Sequence, residues 1–97
     1  MTRLSTDLRD PAARPYFLWD EDTTVAELRS AIELAKPEEW ARLVGKLMRE
    51  ARDTDVWQFV TPRDVWQHRL LLDRYLGRRR SFWHYLLDGW HADGYLG

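Results

Sequence analysis

The residues best spaced for chemistry in this 97-residue sequence are His84, Asp88 and His91. Their i, i+4, i+7 spacing sets two imidazoles and a carboxylate on one side of a helix, a donor set suited to a divalent cation. The competing reading is a solvated polar face opposite Phe82, Tyr85 and Leu86. It is preferred because Gly89 weakens the helix that would align the ligands. His68 reads as a surface residue. There is no cysteine, which removes thiol nucleophiles, disulfides, zinc thiolates and iron–sulfur clusters. Ser5, Ser30 and Ser81 sit in no strained elbow, and the glycines at 45, 77, 89, 94 and 97 are too scattered for a phosphate loop. The carboxylates Asp20-Glu21-Asp22, Glu38-Glu39 and Asp53/Asp55 fall at expected helix ends, where they complement the dipole. The inventory therefore points to a chain that is not an enzyme and uses no cofactor or metal.

Two features call for another kind of explanation. Arg78-Arg79-Arg80 places three guanidiniums in a row, able to hold phosphate or a partner's carboxylates. The second is the aromatic load of six Trp, four Tyr and three Phe. Trp40, Phe59, Phe82 and Tyr85 fit core positions, which leaves Tyr16, Trp19, Trp57, Trp66, Trp83, Trp90 and Tyr95 in surplus. Either the surplus rings stack on arginines to finish a small core, or they form an exposed Trp/Tyr/Arg surface of the kind that dominates protein–protein binding. The second reading sets Arg78, Arg79, Arg80, Trp83 and Trp57 at a partner contact, with Tyr16, Phe17 and Trp19 as a second strip.

The elements that must position these residues are helical. Residues 1–14 are polar and interrupted by Pro11, which predicts a flexible N-terminal arm ahead of a single helical domain over 15–97. Tyr16-Phe17-Leu18-Trp19 is too short for a helix and is expected extended. Thr24-Val25-Ala26-Glu27 has the form of a capping box, opening a helix over 24–35 with Val25, Leu28 and Ile32 inward. Pro37, Glu38 and Glu39 open a second over 37–52, with Trp40, Leu43, Val44, Leu47 and Ala51 on one face. Gly45 in its middle signals close approach by a neighbour. Asp53-Thr54-Asp55 breaks the pattern, and Val56-Trp57-Gln58-Phe59-Val60 reads as a short helix or loop. Thr61-Pro62 starts a third helix over 62–76 carrying Val65, Leu72 and Leu76, and Gly77 suits a left-handed cap. Ser81 caps a fourth over 81–91 with Phe82, Tyr85 and Leu86 inward, which Gly89 and Asp93-Gly94 fray into a tail. The predicted fold is all-α, a compact four-helix module.

Fifteen basic residues against sixteen acidic leave a net charge of −1, which argues against a dedicated nucleic-acid binder. The gap of about nine residues between the second and third helices also exceeds the short turn of a helix-turn-helix. No apolar run reaches bilayer length, and no apolar stretch follows the N-terminal charges, so no membrane is expected and the cytoplasm is the expected compartment.

One resemblance adds to this reading. It is carried by Pro15-Tyr16-Phe17-Leu18-Trp19-Asp20, Gly45-Lys46-Leu47-Met48-Arg49-Glu50-Ala51-Arg52-Asp53, Asp55-Val56-Trp57-Gln58-Phe59-Val60-Thr61-Pro62-Arg63, and Leu76-Gly77-Arg78-Arg79-Arg80 with Phe82-Trp83. The segment resembles a family of small bacterial proteins encoded beside nucleotidyltransferase-like toxins of the abortive-infection class. The resemblance implies the antitoxin of a toxin–antitoxin pair, with the toxin as its cognate protein partner. A homodimer stays open, as does nucleic-acid binding through Arg78–Arg80.

Overall fold

A computed structural model of the chain describes residues 4–96. Two-residue strands β1 (Leu4–Ser5) and β2 (Arg14–Pro15) pair in parallel, and a 3₁₀ turn follows over Tyr16–Leu18. Six helical segments come next: α1 (Val25–Leu34), α2 (Pro37–Glu50), α3 (Asp53–Val56), α4 (Pro62–Gln67), α5 (Arg69–Leu72) and α6 (Arg80–Ala92). The chain is mainly helical, but it is not the four-helix module that the sequence predicts. Among the described residues no helix is long and apolar enough to cross a membrane.

The centre of the molecule is α2. Lys36 is held extended (φ −71°, ψ 161°), the conformation that a following proline imposes, and Pro37 opens the helix ahead of Glu38 and Glu39. The helix buries Val44 and Leu47 as expected, and Ala41, Gly45 and Met48 as well. This wide arc lets α1, α3, α5 and the 3₁₀ turns at Tyr16–Leu18, Asp73–Tyr75 and Gly77–Arg79 all pack on it. Trp40 and Leu43 lie at its edge, half-buried. A Cβ on Gly45 would stand 2.3 Å from the Cβ of Tyr75, so only glycine admits this crossing.

On α1 the capping box forms as read. Glu27 N–H donates to Thr24 Oγ1 at 3.2 Å, and Thr24 N–H to Glu27 Oε1 at 3.0 Å. The two preceding amides of the first turn are taken by the N-terminal segment: Val25 N–H donates to Ala13 O (2.8 Å) and Ala26 N–H to Pro11 O (3.0 Å). The expected flexible arm is thus corrected over residues 4–14. Ser5, Asp7 and Asp10 accept from the amides two residues on and fold the segment into turns, while Leu8 and Ala13 enter the core. The part of that expectation covering residues 1–3 lies outside the described residues.

The expected third helix breaks at His68 (φ −108°, ψ 16°). There the His68 Nδ1 lies 2.9 Å from Asp64 O, and Arg69 Nη1–H donates to Trp66 O at 2.7 Å, so side chains serve carbonyls at the break. Gly77 adopts the expected left-handed conformation (φ +55°).

The last helix differs most from its sequence reading. It begins at Arg80, with Arg79 as an N-cap whose side chain makes no capping bond, so Ser81 is not the cap. Its inward residues are Trp83 and Leu87, whereas Tyr85 is 82% exposed and Phe82 39%. The buried indole N–H of Trp83 donates to Met48 O at 2.9 Å, and this bond fixes the rotation of the helix. The tail closes rather than frays. Tyr95 N–H reaches Trp90 O and Gly94 N–H reaches His91 O, with Gly94 at φ +83° and Leu96 buried beyond it.

Candidate functional site

The arginine run divides into three fates. Arg79 turns inward, where its Nη1 donates to Met48 O (3.2 Å) and Ala51 O (2.7 Å) at the end of α2 and its guanidinium lies over the rings of Phe82 and Trp83. Arg80 forms a two-point pair with Asp73, Nε to Oδ1 at 2.9 Å and Nη2 to Oδ2 at 2.7 Å. Arg78 is exposed and makes no hydrogen bond or ion pair with the described residues. The run is therefore not one positive patch: a single free guanidinium remains of the three.

Of the expected aromatics, Trp83 is fully buried and Phe17 is 2% exposed, so both belong to the core and neither is available to a partner in this conformation. Trp57 is half-buried, edge-on to Trp83 at 5.8 Å between centroids. Tyr16 is half-buried and bridges to α3. Its hydroxyl donates to Asp55 Oδ2 and accepts from Arg52 N–H at 2.8 Å, while the Arg52 guanidinium lies over the ring. Its pKa is raised above 10.0, chiefly by burial. Trp19 alone among the eight expected contact residues is a large exposed ring, at 68%. Three of the seven surplus aromatics follow the stacking reading, Tyr16 under Arg52, Trp66 under Arg69 and Trp83 under Arg79, while Trp57 and Trp90 pack on each other and Trp19 and Tyr95 stay exposed.

Trp19 and Arg78 are joined through α2. Asp20, next to Trp19, pairs with Lys46 (3.0 Å). Its carboxyl is held below 3.8, first by the Lys46 hydrogen bond and more weakly by the charges of Lys46 and Arg49. Arg49 in turn donates to Tyr75 O at 2.9 Å and passes so close to Gly77 that a Cβ there would meet its Cδ at 3.0 Å. Arg78 follows directly. A relay of contacts thus runs from Asp20, beside the exposed indole, through Lys46 and Arg49, themselves paired with Glu21 and Glu50, to Gly77 beside Arg78. Sequence reasoning missed Lys46 and Arg49; their one signal was the two basic positions three residues apart on α2.

The histidines do not converge on a metal. His84 Nε2 bonds Asp73 Oδ1, the oxygen that Arg80 also uses, and His91 stacks flat on Trp66 at 4.3 Å. Among the described residues no three His, Asp or Glu side chains gather to hold an ion. A groove of about 340 Å³ runs beside Asp73, between Trp66, Leu70 and Leu87. Asp73 bonds both Arg80 and His84 at its wall, and its own pKa is lowered, first by the Arg80 hydrogen bond and then by that of His84. No family model, curated protein or solved structure matches the chain.

Proposed function

We propose that this chain is a non-catalytic protein-interaction module that binds and neutralises a cognate protein, a nucleotidyltransferase-like toxin of the kind the sequence resemblance implies. The observation that supports this reading is the face of Trp19, Lys46, Arg49 and Arg78. An indole that is 68% exposed on a small domain is costly to leave in water, and Trp with Arg is the pairing that carries binding energy once a partner excludes solvent. Lys46 is paired with Asp20 and Glu21 and Arg49 with Glu50, so the free positive charge of this face is Arg78, a cation that suits the acidic, metal-binding pocket of a nucleotide-transferring enzyme. A nucleic-acid reader draws less support, because Arg79 and Arg80 are held by internal partners.

The test is a pull-down and a toxin-rescue assay on Trp19→Ala with Arg78→Glu. Both side chains are exposed, so helical content should not change while partner retention and rescue fall together. Full rescue by the folded double variant would overturn the reading. Retention on DNA that falls steeply with salt would replace it with the nucleic-acid one.

A further inference from the structure

Helix α6 has two apolar faces, and the chain covers only one. Trp83 and Leu87 are buried on the inner face, with Leu86 and Trp90 packed beside them. A polar strip of Arg80, His84, Asp88 and His91 follows around the helix. Beyond it come Phe82, Tyr85, Gly89 and Ala92, spaced i, i+3, i+7 and i+10, which is a second helical stripe. All four are exposed. A helix apolar on two sides is ordinarily covered on both.

Gly89 sharpens the point. It sits inside the helix, its φ is not positive, and a Cβ added to it would meet nothing within 4 Å. Nothing among the described residues accounts for a helix-weakening residue there. A second backbone or ring lying against it would.

We infer that the outer face of α6 is a self-association surface, occupied by the same face of a second copy running antiparallel. The stripe is large at one end (Phe82, Tyr85) and small at the other (Gly89, Ala92). A two-fold axis near its middle brings each Tyr85 against the partner's glycine and each Phe82 against the partner's alanine. Charge fixes the direction. Arg78 lies before the large end and Asp93 after the small end, and neither side chain pairs with any described residue. The antiparallel arrangement sets each guanidinium beside the other copy's Asp93 and helix C-terminus; a parallel one would set like charges together. The stripe spans only about 15 Å of helix, so the dimer should be weak and dissociate on dilution.

Sedimentation or light scattering on the whole chain across a dilution series tests this. The wild type should pass from dimer to monomer on dilution. Tyr85→Ala and Gly89→Gln should each weaken association by about tenfold or more. At dilutions where the chain is monomeric, Gly89→Gln should raise the Tm by about 2–4 °C, because glutamine favours the helix. Arg78→Asp and Asp93→Arg should each weaken the dimer, and the two together should restore it. A wild type that stays monomeric up to about 1 mM, or a dimer indifferent to Gly89→Gln and Tyr85→Ala, would overturn the inference. Arg78 belongs to both surfaces, so the two results are separated with variants that belong to one: Tyr85→Ala and Gly89→Gln should lose the dimer and keep the cognate protein, and Trp19→Ala alone should do the reverse.

Discussion

The two ends of α2 are held by opposite means. Its beginning is local: Lys36 extended before Pro37, then two glutamates that complement the dipole. Its end is finished from far along the chain. The carbonyls of Met48 and Ala51 accept from Arg79 and from the indole of Trp83, which stand 28 to 35 residues away in sequence. Arginines serve other turn carbonyls too, Arg49 on Tyr75 O and Arg29 on Gln58 O from 26 and 29 residues away, Arg14 on Glu21 O and Arg69 on Trp66 O from nearby. A small chain broken into many short helices leaves many orphan carbonyls, and a guanidinium can reach and bridge them where no following residue can. Much of the arginine content is therefore fastening rather than display.

The most severe way to break the distant end is Trp83→Ala. It removes a fully buried ring and the N–H on Met48 O together, with an expected loss of about 3–5 kcal/mol by chemical denaturation. That is a large share of the stability of a domain this size. Trp83→Phe keeps a ring without the donor, and the difference between the two variants separates packing from the bond. If Trp83→Ala costs less than about 1 kcal/mol, the inner face of α6 is misassigned.

Arg79→Ala comes next, at about 1.5–3 kcal/mol, since it strips a charged donor from two carbonyls at once. Arg79→Lys should recover only part of this, because an ammonium lacks the planar fork that spans both oxygens and stacks on Phe82. Arg78→Ala, one residue away, should leave stability unchanged. Equal losses at 78 and 79 would erase the distinction between fastening and free arginines.

Thr24→Ala tests the local end of the comparison on α1 and should cost about 1 kcal/mol. An effect as large as that of Arg79→Ala would mean that starts and ends are not held so differently.

This asymmetry decided what could be read from sequence. Capping signals lie within four residues of one another, so Thr24, Pro37 and Thr61 placed three helix starts within a residue. Gly45 also announced its close neighbour, though not that the neighbour is Tyr75. Helix ends and rotations depend on partners elsewhere in the chain. On α6 two apolar stripes compete, and periodicity selects Phe82 and Tyr85 as readily as Trp83 and Leu87; the Met48 carbonyl breaks the tie, and no local pattern mentions it. The Asx turns of Asp7 and Asp10 looked like the polarity of a free arm because the burial of Leu8 and Ala13 is visible only in three dimensions. Of the expected contact residues, Trp19, Arg78 and Arg80 stay exposed, Arg80 paired with Asp73, while the others are drawn inward.

The start of α6 differs from the locally signalled starts of α1, α2 and α4, and the smallest expected effect comes from it. No side chain caps it, and Arg80 puts a positive charge at the positive end of the dipole, which is unfavourable on its own. The compensation comes from Asp73 in the preceding 3₁₀ turn, which takes Arg80 at two points and His84 at a third. Those contacts hold the Asp73 carboxyl below its ordinary 3.8. A carboxyl whose folded pKa lies below its unfolded one binds more protons unfolded than folded. Its contribution is therefore complete above pH 3.8 and is lost as the pH falls through the lower folded value. Because the pair is exposed, the contribution should stay within about 1 kcal/mol. Urea unfolding of the wild type and Asp73→Asn should thus differ by a small amount at pH 5, and the two curves should meet as the solution is acidified below 3.8. A gap that persists unchanged into acid would assign the effect to packing at residue 73 and return the start of α6 to the ordinary, locally determined kind.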